Sequence, residues 1–317
     1  MTRLWLAVLL CMVYGVSFAR GEPEEDTFLW RVSKNGPTSY LLGTVHVGPV
    51  NGKLPEQYVE LIKQVDRVVV ESNADDTESP DYVRDLAAMN DMMYETNPLH
   101  KTIGDVRIVL INRALKQGEE PLQIDRNTRM QPWAVWAMLE SMYSPKGYSY
   151  QYGIDNLLIQ EAKKQSKQVV ALERLEGMRY MESVPEDKVI RRLDKMIAHH
   201  KAILQEEIEL VTQYQRQEAK QIWADINNPV KQMRYVSKKD QAYWNDFLFD
   251  RLLTERNQTW LNKLVTILPQ KPALVAVGSA HLFGEQGLSL RLRQIGYKVE
   301  PILLNSKQKE VKSVAVN

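Results

Sequence analysis

The sequence predicts an α/β protein built on a mixed, largely parallel sheet with flanking helices and a large helical insertion. Three observations carry this reading. Short apolar runs rich in β-branched residues alternate with amphipathic stretches of helical spacing. Strand, helix, strand order recurs near both ends of the chain, which favours parallel strands. Of the 317 residues, 44% are apolar and 26% are charged, a composition that builds a core and disfavours wholesale disorder, collagen-like sequence and a multi-span membrane protein.

Residues 1–19 read as an export signal. Arg3 supplies the positive end, residues 4–13 form an apolar stretch too short to span a bilayer comfortably, and Ser17-Phe18-Ala19 places small residues before a cleavage after Ala19. An uncleaved N-terminal anchor is the other reading. The single cysteine, Cys11, lies in this segment, and Leu10 before it is too large for a lipidation site. The processed chain would therefore lack cysteine, need no oxidative folding and have no stable membrane span. Its chemistry falls to His, carboxylates, hydroxyls and Arg. The expected location is exported, periplasmic or secreted. The net charge of +1 gives no signal for nucleic acid.

The elements follow in order. Residues 27–32 and 39–42 read as a hairpin around the turn Asn35-Gly36. Pro55 opens a helix with Tyr58, Leu61, Ile62 and Val65 on one face, and residues 68–70 form a buried-type strand. Residues 73–150 are mostly helical. Asp155 is suited to cap a helix to about Gln165, and residues 168–172 form another strand. Ser183-Val184-Pro185-Glu186 fits a capping box for a long helix or helix pair to residue 226. A further helix covers 239–267, where Leu248, Leu252, Arg256 and Trp260 recur at i, i+4 beside Phe249, Leu253, Asn257 and Leu261. Residues 273–277 and 299–304 are strands separated by a helix over 288–295, and the tail after Asn305 is polar. No linker divides the chain, so residues 20–317 read as one domain with helical insertions near 73–150 and 183–267.

The chemistry collects at strand ends. Gly43-Thr44-Val45-His46 and Gly278-Ser279-Ala280-His281 share one form and one context, in a chain with five histidines. Two other strands end in Glu71 and Glu173. In a parallel sheet these four side chains meet at the carboxyl edge, where open α/β sheets place ligands. Two imidazoles and two carboxylates suit a hard or borderline divalent ion. Arg256 and Asn257 interrupt an apolar stripe, and a buried guanidinium needs a partner such as these carboxylates or nearby Glu255 or Asp250. His199, His200, Glu206 and Glu207 read as surface or interhelical packing, and His100 as a loop residue. Dinucleotide, P-loop, His-Glu-x-x-His and Gly-x-Ser-x-Gly signatures are missing.

With the paired Gly-x-x-His motifs, Val69-Val70-Glu71, Gly153-Ile154-Asp155, Ala171-Leu172-Glu173 and Glu255-Arg256-Asn257, the sequence resembles the TraB/GumN family, which includes the Tiki proteases. The resemblance implies a fold similar to erythromycin esterase and haem-binding ChaN proteins. It also implies a metal-dependent protease or peptidase. His46 and His281 would ligate Mn, Co or Zn with Glu71 or Glu173 as the third ligand, and the other glutamate would act as base beside Arg256 and Asn257. Similarity to the erythromycin esterases implies an alternative: an ester hydrolase using His46, Glu71, Arg256 and His281 without a tightly held metal. A haem or metal carrier, or an envelope scaffold, is the non-enzymatic alternative. The expected partner is a peptide or protein substrate. Metal identity, substrate and oligomeric state stay open at this stage.

Overall fold

The hairpin forms as its turn chemistry requires. Strands β1 (Leu29–Ser33) and β2 (Ser39–Thr44) pair antiparallel, with Leu29 opposite Leu42. Asn35 turns at φ 46°, a left-handed conformation that Asn tolerates. The computed structural model describes residues 25–72, 79–120 and 122–304. The expected export signal with Cys11 and the polar tail from Asn305 lie outside the described residues.

The remaining strands are β3 (Gly48–Pro49), β4 (Arg67–Val70), β5 (Tyr148–Ser149), β6 (Gln168–Ala171), β7 (Ala273–Gly278) and β8 (Lys298–Pro301). Six of them form one sheet in the order β6-β4-β7-β2-β1-β8, and β3 pairs separately with β5. Strands β6, β4, β7 and β2 are parallel, while β1 is antiparallel to both β2 and β8. The fold is thus α/β with a mixed, largely parallel sheet. The helix Glu56–Lys63 returns the chain so that β2 and β4 point the same way. They are not neighbours, because β7 from the far end of the chain lies between them.

Both faces of this parallel block are covered, which is why its strands read as unbroken apolar runs. Leu41, Val69, Val275 and Val277 pack against Trp260, Leu264, Trp223 and Phe283 on one face. Leu42, Val68, Val70 and Leu274 pack against Tyr58, Ile62 and Leu158 on the other. A third apolar cluster joins the two helical regions: Leu99, Ile111, Trp133 and Trp136 from the first meet Val189, Leu193, Trp244 and Phe247 from the second. The two sequence insertions therefore share one core.

Several local expectations need correction. The long helix Glu186–Gln215 starts after Pro185 with no side-chain cap, and the Ser183 hydroxyl donates to the Tyr180 carbonyl instead. Of the two readings for this region the helix pair holds, since a separate helix, Ala219–Asn227, follows after Gln217 takes φ 58°. The helix predicted over 239–267 is not uniformly α-helical. It is α over Gln241–Asn245, π over Asp246–Glu255 and α again over Arg256–Ile267. Bonding from i to i+5 widens the turn and changes the face presented. Trp244 and Phe247 enter the helical cluster, whereas Trp260, Leu261 and Leu264 enter the sheet layer. The i, i+4 stripe expected from Leu248 to Trp260 is broken at this segment. Among the described residues no helix is long and apolar enough to cross a membrane.

Candidate functional site

The parallel strands deliver their ends to one edge of the sheet. Thr44 ends β2 two residues before His46, Val70 ends β4 before Glu71, Ala171 ends β6 two residues before Glu173, and Gly278 ends β7 before the short turn Ser279–His281. Backbone pairing continues past the ends of β4 and β6, with the Glu173 N–H donating to the Glu71 carbonyl at 2.8 Å. His46, Glu71, Glu173, Arg256, Asn257 and His281 are therefore brought together at one edge.

The hydroxyl at the second position of each motif ties the loops to one another. Ser279 Oγ donates to the Thr44 carbonyl at 2.8 Å, and Thr44 Oγ1 donates to Asp155 Oδ1 at 2.5 Å. The glycines allow close approach. A Cβ on Gly43 would lie 3.1 Å from Ser279 Oγ, and one on Gly278 would lie 3.1 Å from Glu71 Oε1 and 3.6 Å from His46 Nε2. Gly153 is needed for the same reason, because its Cβ would collide with the His46 carbonyl.

Asp155 opens the helix Ile154–Lys164 but makes no cap hydrogen bond. Its second oxygen faces His46 Nδ1 at 2.9 Å. A carboxylate only accepts, so Nδ1 carries a proton and Nε2 faces Gly278 at the end of β7. The His46 side chain is 56% exposed, the most open of the group. The Asp155 charge outweighs the cost of burial and raises the imidazole pKa to about 9. The sequence reading missed this partner. Its signal was Gly153-Ile154-Asp155, a motif whose aspartate was taken for a helix cap.

Arg256 organises the buried half of the site. Its Nη2 donates to Glu71 Oε2 at 2.8 Å and to Glu173 Oε1 at 2.8 Å, while Nε reaches Glu173 Oε2 at 3.1 Å. The guanidinium lies 4.5 Å from the Trp260 ring centroid, and the indole N–H donates to Glu173 at 3.2 Å. Glu71 also accepts from the Gly278 N–H at 2.6 Å. Burial opposes ionisation of Glu71, but His281 in its protonated form, Arg256, His46 and that N–H outweigh it and hold the carboxyl down, at about 2.

His281 is fixed in one tautomer. Asn257 spends its amide N–H groups on the carbonyls of His281 and Gln286, at 3.1 and 2.8 Å. Its oxygen therefore accepts from His281 Nδ1 at 2.7 Å. Nε2 is left without a proton and accepts from Arg256 Nη1 at 3.2 Å. Burial, reinforced by Arg256, lowers this imidazole's pKa to about 3, so the ring is neutral. Beyond Asn257 lies a cavity of about 130 Å³ with Trp223, Phe249, Leu253 and Phe283 in its walls.

These donors do not fit a divalent ion. Both oxygens of Glu71, both of Glu173 and Nε2 of His281 already face N–H groups. The cation they surround is the Arg256 guanidinium. Among the described residues no three His, Cys, Asp or Glu side chains are grouped to hold a metal. The ligand set expected from sequence, His46, His281 and Glu71, does not match this arrangement.

Comparison with known proteins supplies the family. The model of the TraB/PrgY/gumN family matches residues 28–301. The chain is 27% identical to the uncharacterized protein YbaP of Shigella flexneri over 265 residues, 80% of this chain and 88% of the relative. Its similarity to the uncharacterized protein YbaP of Escherichia coli strain K12 is also 27% identity, over 264 residues, 80% of this chain and 87% of the relative.

Proposed function

The chain belongs to the TraB/PrgY/gumN family, and from that membership and the geometry of the sheet edge we propose a metal-independent hydrolase of an ester or peptide carbonyl, with His46 as its proton-transfer group. One observation carries the reading: the Arg256 guanidinium stands among Glu71, Glu173 and His281, where a catalytic cation would stand, and leaves His46 as the accessible acid–base side chain. The combination of two histidines, a glutamate and an arginine is also the set implied by similarity to the erythromycin esterases.

Asp155 orients the His46 ring and stabilises its imidazolium. A pKa near 9 keeps the ring protonated at neutral pH, so Nε2 donates to the leaving oxygen or nitrogen as its bond to carbon breaks. Glu71, Arg256 and Glu173 form a fixed charge array behind that proton, preorganised before substrate arrives. Glu71 is a weak base, because its pKa is about 2 and both its oxygens accept hydrogen bonds. Asn257 acts through His281, holding it neutral as an acceptor for Arg256. The reading includes export with cleavage after Ala19 and a substrate that is a peptide, a protein or a small ester.

The test is hydrolysis of chromogenic short-chain esters and fluorogenic peptides by the purified chain, with and without EDTA, beside His46→Ala. Turnover that survives chelation and falls about 100-fold or more in the variant is expected. Loss of turnover in EDTA with recovery on adding Mn, Co or Zn would replace this mechanism with the metal-dependent one. Equal rates for wild type and His46→Ala would remove His46 from the chemistry.

A further inference from the structure

We propose that the cavity beyond Asn257 binds a single aromatic ring that carries an ammonium group one or two carbons away. The site goes beyond the hydrolase reading and does not depend on it.

Three segments far apart in sequence build the cavity. The π segment Asp246–Glu255 supplies Phe249, Leu253 and Thr254, the helix Ala219–Asn227 supplies Trp223, and the turn and loop after β7 supply Ala280 and Phe283. Phe249 and Leu253 are only half-buried, because they border this hollow instead of packing into a core. A glycine brings the aromatic walls together. Gly284 takes φ 77°, and a Cβ there would lie 2.6 Å from the Trp223 ring, so the loop closes on the indole only without a side chain. The Trp223 and Phe283 ring centroids are 5.7 Å apart, at 52°. The volume is about 130 Å³. An apolar cavity of about 150 Å³ takes up benzene, so this hollow suits one six-membered ring.

The polar groups around it set the sign of the ligand. Asp250 and Glu285 are exposed, so the cavity meets solvent at two carboxylates, which only accept hydrogen bonds. Thr254 Oγ1 gives its proton to the Phe249 carbonyl at 2.8 Å and presents its lone pairs as acceptors. Asn257 gives its amide N–H groups to the carbonyls of His281 and Gln286. Among the described residues no Lys, Arg or His lines the hollow. Such a rim repels a carboxylate or phosphate and favours an ammonium, which donates to the carboxylates and is attracted to the aromatic faces. A neutral ring would fill the hollow and leave the rim unused.

The cavity shares a wall with the strand-end cluster. Asn257 and Ala280 line it, and Asn257 Oδ1 accepts from His281 Nδ1 at 2.7 Å. A bound ring therefore lies one side chain away from His281.

Phenethylamine is the probe, titrated into the purified full chain and followed by saturation-transfer NMR and tryptophan fluorescence. The controls are 3-phenylpropionate, of similar length and opposite charge, and butylamine, which lacks the ring. A Kd of about 1 mM or tighter is expected for phenethylamine, with each control about tenfold or more weaker. Glu285→Gln should cut the preference for amine over carboxylate about threefold. Leu253→Trp fills the hollow and should abolish binding. Leu253→Ala enlarges it and should admit tryptamine, which wild type should bind about tenfold more weakly than phenethylamine. Thermal unfolding confirms that each variant is folded, and if Leu253→Trp is not, the Leu253→Ala result decides. A free aromatic amine and a peptide beginning with phenylalanine offer the same chemistry. Displacement of phenethylamine by Phe-Ala-Ala amide assigns the site to the peptide, and failure to displace it assigns the site to the free amine; both support the site. No binding by wild type, equal binding of phenethylamine and 3-phenylpropionate, or selectivity unchanged in the folded Leu253 variants overturns the proposal.

Discussion

Replacing Arg256 with methionine tests the charge array directly. The substitution keeps a long stem for packing and removes the cation shared by Glu71 and Glu173. Both carboxylates are largely buried, with 14% and 7% of their side-chain surface exposed, so water replaces the lost partner poorly. A Glu71 carboxyl held at about 2 instead of 4.5 stabilises the folded state by about 3 kcal/mol at neutral pH. Arg256 supplies part of that, and stranding Glu173 adds to the loss. The expected destabilisation is about 3–5 kcal/mol at pH 7, the range for breaking a buried pair on one side. The sign of its pH dependence follows from the lowered pKa. The stabilisation is present above the unfolded value near 4.5 and is lost as pH falls towards 2. In the variant the carboxyl titrates higher, so acidification relieves the stranded charge. Urea unfolding followed by tryptophan fluorescence at pH 7 and pH 4 should show a gap that narrows at the lower pH. Equal stability at pH 7, or an equal gap at both values, would refute the assignment of Arg256 as the cation of this cluster.

Three other outcomes follow from described contacts. Asp155→Asn should bring the His46 pKa from about 9 towards its ordinary 6.5, read by NMR of the imidazole; a value still near 9 would show that Asp155 is not the cause. Gly278→Ala places a Cβ 3.1 Å from Glu71 Oε1 on a strand-end backbone that accepts it, with φ −50°. Stability should change by about 1 kcal/mol or less and hydrolysis should fall about tenfold or more, because Glu71 must move; unaltered turnover would mean its position is not critical. Intact mass of the chain recovered from the periplasm or medium of a bacterial host should begin at Arg20, and a mass retaining residues 1–19 would remove the cleavage.

The sheet was legible because its strands are buried on both faces and carry unbroken apolar runs, as in Val68-Val69-Val70 and residues 273–277. Neighbour order was less so: β7 lies between β2 and β4 through contacts more than 200 residues apart, which no local pattern encodes. The strand-end residues His46, Glu71, Glu173 and His281 stood out because each polar side chain follows a strand without a local partner. Asp155 did not, because an aspartate in a first helical turn has an ordinary local explanation. Here Thr44 and His46 claimed it instead. The π segment has no periodic signature of its own. It separates two faces that a uniform 3.6-residue period had merged.

A stretch of i→i+5 bonding takes up more chain per turn than the α-helix around it, so the count of residues over Asp246–Glu255 sets the angle at which everything after it faces the sheet. Deleting one residue there with the winding otherwise unchanged would swing the following segment by nearly the roughly 100° that one helical residue contributes. Trp260 would leave the core, and Arg256 would turn from both carboxylates without either residue having been altered. Length variation in this helix is therefore far less tolerable than its half-exposed side chains imply. An inserted or deleted residue at positions 246–255 should disable the protein where most single exchanges on its outer face would pass unnoticed.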